Sequence, residues 1–207
     1  MDAGRVIPVA AVAEDLAGVL VAALAGAGAD LEAAAPPAAG NRRMLRRWLQ
    51  HLTTTPLALR RCFPPAALAA IDAACAASER YHCAEIRCAV ETALSIGRLF
   101  RRMDSAARAR EVFSLLHMWD TAENNGVLLY VLLAERKIEI VADRGFSEFV
   151  SSVEWQSICA EMEEAFAAGR YEAGTLAALE QISALARQHF PVHASDRNEL
   201  PDTTVLL

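Results

Sequence analysis

Apolar residues recur along this chain in two rhythms, and the switches between them mark its elements. In MLRRWLQHL, residues 44–52, Leu45, Trp48, Leu49 and Leu52 stand at i, i+3, i+4 and i+7, with Arg46, Arg47 and Gln50 opposite. That spacing predicts a short amphipathic basic helix. Residues 63–82, FPPAALAAIDAACAASERYH, open on prolines suited to a first helical turn and line up Leu68, Ile71 and Cys75. The period then drops to two. In EIRCAVE, residues 85–91, Ile86, Cys88 and Val90 alternate with Glu85, Arg87 and Glu91. This predicts a strand with one well-buried face and one polar face. Asp104 or Ser105 opens a helix whose buried stripe is Ala109, Val112, Phe113 and Leu116.

Val127–Ala134 is apolar without interruption, the pattern of a central strand covered on both faces. Glu135-Arg136 makes a tight polar turn, and Lys137–Asp143 returns with Ile138, Ile140 and Ala142 on one side. The two strands predict an antiparallel hairpin. Ser151-Ser-Val-Glu154 is a capping-box pattern. It starts a helix carrying Trp155, Ile158, Cys159, Met162 and Phe166 on one face and stopped by Gly169. A last helix spans Tyr171–His189, buries Leu176, Leu179, Ile182 and Ala186, and ends at Pro191.

The simplest packing of this order is an α/β fold. It is a three-layer αβα sandwich with a small mixed sheet of about four strands and helices on both faces. Residues 1–43 read as an Ala-rich extension, a weak helix over about 9–26 followed by the linker AAAPPAAGN. The abrupt change of composition also makes Met44 an alternative natural start. Residues 44–61 are the short basic segment, 62–191 the folded domain, and 192–207 a disordered tail.

Composition narrows the function classes. The chain is 54% hydrophobic but only 6% aromatic, and its formal net charge is −6. The charge is uneven: residues 41–71 hold Arg42, Arg43, Arg46, Arg47, Arg60 and Arg61 and no acid. The acidic remainder repels phosphate backbones, which argues against nucleic acid as a partner. The apolar run 16–29 is too short for a bilayer, which needs about 20 residues. Asp2, Glu14 and Asp15 occupy the place of a signal peptide's positive region. Five cysteines with no CxxC suit the reducing cytosol, so a cytoplasmic location is expected. Arg46, Arg47 and Trp48 suit a membrane interface or a partner surface. The alternative is a helix docked on the domain's own core, its arginines solvated.

The stretch NNGVLLYVLLAERKIEIVADRGF, placed after a strand and a helix ending in Trp119, resembles the TPM domain. That domain is named for thylakoid-lumen phosphatase-like proteins and their bacterial and animal relatives. The later EWQSICAEMEEAFAAGRYEAGTLAALEQISALARQHF is similar to its closing helical pair, so the resemblance covers roughly residues 62–191. It implies an αβα sandwich of about four strands. It also implies one of several roles: weak acid phosphatase, calcium binder, factor for the assembly or repair of membrane complexes, or auxiliary subunit of a receptor. Where many relatives carry a Gly-x-Gly turn after the second hairpin strand, this chain reads Ala142-Asp143-Arg144-Gly145-Phe146, adding an acid and a base.

Hairpin pairing should set Asn124-Asn125-Gly126 beside Asp143-Arg144-Gly145, with Asp120 and Glu123 on the adjoining loop. Asp120, Glu123, Asn124 and Asp143 are then candidate ligands for a hard cation such as Ca²⁺ or Mg²⁺, which takes oxygen donors. Asn125 and Arg144 are candidate binding residues, Arg144 for a phosphate or carboxylate. The bland alternative gives these residues to turns, caps and a surface ion pair. His82-Cys83 precedes a strand with no partner at metal spacing, and Pro191 breaks the helix that would align His189 with His193. Trp119 and Trp155 are expected in the core. The expected function is a binding or assembly module with an unknown protein partner, acting near the membrane surface. The alternative is a weak divalent-metal-assisted phosphatase.

Overall fold

A computed structural model of the protein describes residues 39–193, 200, 201 and 203–207, with side chains from residue 42 onward. The weak helix over 9–26 and the linker as far as residue 38 lie outside these residues. The chain divides into two compact units, Met1–Leu45 and Arg46–Leu207.

Helix α1, Ala39–Thr53, runs straight through the expected linker end and Met44. Helix α2, Pro56–Cys62, and helix α3, Pro65–Ser78, each begin on proline. Proline is tolerated there because the first amides of a helix lack intrahelical partners. Strand β1, Ile86–Glu91, follows. A short helix α4, Ile96–Phe100, which periodicity does not signal, precedes α5, Ser105–Leu115. The Asp104 side chain caps α5 by accepting from the Ala107 amide. Strands β2, Val127–Leu132, and β3, Lys137–Ala142, form the hairpin, and Arg144–Phe146 adds one 3₁₀ turn. The capping box of Ser151 and Glu154 starts α6, Ser152–Ala167. Gly169, at φ 76°, turns the chain into α7, Tyr171–His189.

The sheet order is β3-β2-β1-β4. β1 and β2 are parallel, β2 and β3 antiparallel, with Val127 opposite Ala142. Strand β4, Val205–Leu206, lies parallel to β1 and pairs Val205 with Ala89. The expected disordered tail is therefore corrected at its end: the apolar VLL supplies an edge strand, while 194–199 and 202 lie outside the described residues. Backbone pairing satisfies amides that an edge of β1 would otherwise leave open.

Alternate residues of the central strands feed two cores. Ile86, Cys88, Val90, Val127, Leu129 and Val131 pack with residues of α3, α6 and α7. Ala89, Leu128, Tyr130 and Leu132 pack with Leu99 of α4 and with Ala109, Val112 and Phe113 of α5. The sheet is thus covered on both faces, the sandwich expected from the sequence.

One reading of β1 needs correction. Its polar face is not solvated: Glu85, Arg87 and Glu91 are all buried. Glu91 accepts from Arg108 Nε at 2.7 Å and from the Tyr130 hydroxyl at 2.8 Å. Burial, and beside it the Glu91 carboxylate, push the Tyr130 phenol far up, so it stays protonated and donates. Trp119 is corrected too, being half-exposed rather than core. Trp155 is partly buried and meets Phe146 edge-on at 5.7 Å between ring centroids. Burial also raises the thiols of Cys88 and Cys159, the latter to about 11, so both remain neutral packing groups.

Candidate functional site at the open end of the hairpin

The two triplets meet as their pairing predicts. Asp143 N–H donates to Gly126 C=O at 2.8 Å, and Gly145 N–H donates to Asn124 C=O at 2.9 Å. Two glycines make this approach possible. A Cβ on Gly145 would stand 2.6 Å from the Asn124 carbonyl oxygen and 2.9 Å from that of Glu123. A Cβ on Gly126 would collide with the Met118 carbonyl oxygen. Asn124 itself takes the left-handed conformation, φ 52°, which asparagine tolerates better than most residues.

The side chains divide into anchored and available groups. Asp143 Oδ1 accepts from the Arg144 amide at 2.7 Å, while its Oδ2 is buried and accepts no hydrogen bond from the described residues. Asn125 is buried; its Nδ2 donates to Cys83 C=O at 2.7 Å, and its Oδ1 likewise accepts nothing from the described residues. Arg144 Nε donates to Asn124 Oδ1 at 2.9 Å. The Asn125 amide donates to Thr121 Oγ1 at 3.0 Å, which closes the loop that carries Glu123.

The four carboxylate and amide residues named from sequence do not all converge. Asp120 is exposed. Glu123 turns toward Cys83, whose thiol donates to Glu123 Oε2 at 3.1 Å. His193 Nε2 lies 4.0 Å from Glu123 Oε1. Among the described residues, the ligand group whose donor atoms all lie within 4.8 Å of one another is Cys83, Glu123 and His193, without Asp120 or Asp143. The expectation that Cys83 lacks partners is therefore overturned. Its partners come from loops 40 and 110 residues further on, a distance that local spacing cannot report. His189 goes elsewhere and stacks on Phe149 at 4.8 Å between ring centroids.

Beside the clasp runs a groove of about 410 Å³. It is lined by Ile140–Asp143 of the β3 end, by Phe146 and Trp155, and by Arg110. The basic helix sits apart from it. Arg47 turns inward, its Nε 2.7 Å from Glu135 Oε1 and its Nη2 on the Met103 carbonyl. Trp48 packs edge-on against Phe100 at 4.7 Å. Arg46 is exposed, as are Leu49 and Leu52.

A TPM domain model matches residues 60–185, well over half of the chain. The chain belongs to the TPM family. Among solved structures, this TPM protein is similar to the NMR structure of BA42 from the psychrophilic bacterium Bizionia argentinensis. The two are 28% identical with a TM-score of 0.60, over 68% of this chain and 92% of the other. No curated protein sequence matches the chain. No helix among the described residues is long and apolar enough to cross a membrane.

Proposed function

We infer that this TPM-domain protein is a binding and assembly module whose clasp takes a hard divalent cation and whose adjoining β3 groove receives a protein partner. One observation carries the reading: Asp143 Oδ2 and Asn125 Oδ1, on the two adjoining segments of the clasp, are both buried acceptors with no donor among the described residues. A buried acceptor left unpaired costs about 1–3 kcal/mol, so such atoms are satisfied by something outside the protein's own hydrogen-bond set. The donor chemistry fits Ca²⁺ or Mg²⁺, which take carboxylate and amide oxygens with waters completing the shell. Asp143 contributes charge and Asn125 a neutral oxygen. A cation bound there would draw in a partner carboxylate or phosphate, with Arg144 beside it.

The reading is tested by isothermal titration of the purified full chain with Ca²⁺ and Mg²⁺. We expect binding by the wild type and at least about tenfold weaker binding by Asp143→Asn, comparable to losses seen when metal-site support is removed. No heat and no thermal shift with either ion would remove it.

The alternative, a weak metal-assisted phosphatase, draws on the same acceptors and on the exposed Arg144 guanidinium. A bound cation there would polarise a phosphoryl oxygen. Metal-dependent turnover of p-nitrophenyl phosphate that disappears in Asp143→Asn would favour it over the binding role. The peripheral membrane contact is supported by the exposure of Arg46, Arg60, Arg61, Leu49, Leu52 and Leu57. Basic and apolar side chains together suit an anionic bilayer surface. Flotation with anionic vesicles at low salt should bring the protein up, and Arg46→Glu combined with Arg61→Glu should leave it in solution.

A further inference from the structure

We propose that Cys83, Glu123 and His193 form a second, separate metal site, selective for a borderline transition-metal ion of the Zn²⁺ class. The three residues offer one thiolate sulfur, one carboxylate oxygen and one imidazole nitrogen. That donor set suits Zn²⁺ or Co²⁺, and the sulfur makes it a poor seat for Ca²⁺ or Mg²⁺. Its three ligand atoms differ from the Asp143 and Asn125 oxygens of the clasp, although the two sites adjoin: Asn125 Nδ2 donates to Cys83 C=O and lies 3.8 Å from Cys83 Sγ.

The distances are those of a site that closes with small side-chain movements. In a tetrahedral centre, metal–ligand lengths near 2.0–2.3 Å set neighbouring donor atoms roughly 3.3–3.6 Å apart. Cys83 Sγ stands 3.1 Å from Glu123 Oε2, His193 Nε2 stands 4.0 Å from the carboxylate's other oxygen, Oε1, and one donor atom from each residue can be taken so that no pair exceeds 4.8 Å. The adjustment needed is about 1 Å, and it falls on Glu123 and His193, whose side chains are 43% and 58% exposed and have room to turn.

Independent restraints hold the backbones beneath these side chains. Cys83 N–H donates to Phe190 C=O at 3.0 Å, and Cys83 C=O accepts from Asn125 Nδ2. The bridge between His82 and Pro191 ties the segment leading to His193 against the start of β1. Glu123 sits in the loop closed by the Asn124 amide on Thr121 C=O, at 3.2 Å. Three remote parts of the chain are thus brought to one point before any metal binds.

On binding, the Cys83 S–H bond breaks, its proton passes to solvent, and the sulfur's electron pair forms the metal–sulfur bond. His193 binds as neutral imidazole. Three protein ligands leave a fourth position for water or for a small anion, the arrangement of an open rather than a purely structural zinc site.

Co²⁺ is the probe, titrated into tag-free, reduced, metal-stripped full chain. We expect a thiolate-to-cobalt charge-transfer band and the intense visible bands of tetrahedral Co²⁺, both bleached by equimolar Zn²⁺. Cys83→Ser should abolish the charge-transfer band, and His193→Ala and Glu123→Gln should each weaken Co²⁺ binding about tenfold or more. Asp143→Asn should leave the spectrum unchanged, which separates this site from the clasp. Absence of the band in the wild type overturns the proposal, and so does a band that survives in Cys83→Ser. Should Cys83→Ser not fold, unchanged Co²⁺ affinity in both of the other variants overturns it equally.

Discussion

Single residues carry much of this protein's stability in places that look like surface. Arg108 and Glu91 are both about 5% exposed at their side chains and sit 2.7 Å apart, with the Tyr130 hydroxyl completing the carboxylate's shell. Removing one member strands the others without solvent. Arg108→Ala should therefore lower the unfolding free energy by about 3–5 kcal/mol in urea denaturation, because a buried charge is left unpaired. Glu135 is a second such residue. Burial opposes its ionisation, yet hydrogen bonds from His51 at 2.8 Å and Arg47 at 2.7 Å outweigh that and hold its carboxyl below the usual range. A depressed carboxyl stabilises the fold above its unfolded value, about 4.3, and that contribution fades as pH falls through the lower folded value. Denaturation midpoints between pH 7 and pH 3 should fall less steeply in Glu135→Gln than in the wild type. Equal slopes would show that the cluster contributes nothing to acid sensitivity.

At the scale of elements, close approach matters more than propensity. α6 and α7 pack so tightly that a Cβ on Gly174 would stand 2.7 Å from the Ala165 Cβ. Alanine gains about 1 kcal/mol over glycine in a helix interior, but overpacking costs about 1–3 kcal/mol. Here the clash lies between two side-chain roots on packed backbones, so the cost wins. Gly174→Ala should melt lower than the wild type by calorimetry; a higher melting temperature would mean that the helices part easily. The last strand is the other decisive element. Leu207 donates to Val90 C=O and accepts from Thr92 N–H, and Thr204 bonds Asp72 Oδ1 through both its amide and its hydroxyl. With each net hydrogen bond worth about 0.5–1.5 kcal/mol, deleting residues 203–207 should cost several kcal/mol. It should also bare the edge of β1, which would be seen as self-association by light scattering.

At the scale of the whole molecule, the amphipathic helix α1 is divided between two roles. Sequence periodicity puts Leu45, Trp48, Leu49 and Leu52 on one stripe, yet Trp48 joins the core beside Phe100 while Leu49 and Leu52 remain exposed. The inward anchor is polar: Arg47 and His51 both reach Glu135 in the hairpin turn. The helix is thus rotated from its most apolar orientation, because an ion pair with the turn and one large aromatic outweigh the small leucine area that a few turns can offer. The exposed remainder is the surface proposed to meet an anionic membrane.

The local pattern was enough for the main elements of the sandwich, though not for the short helices α2 and α4 or for β4. Continuous apolar character marked β2 as central, alternation marked β3, and the Ser151–Glu154 and Asp104 caps set helix starts that the structure reproduces. Those signals work because helix periodicity, strand alternation and capping are decided within a few residues. The hairpin also placed 124–126 against 143–145, since pairing register follows from strands joined by a short turn. What lay beyond the sequence were meetings between distant segments. The burial of Glu91 depends on Arg108 arriving from α5, β4 depends on a free edge of β1, and the Cys83–Glu123–His193 group depends on a 110-residue separation folding to zero. Each is set by how the layers stack, and only the packed chain specifies which charges and ligands then stand face to face.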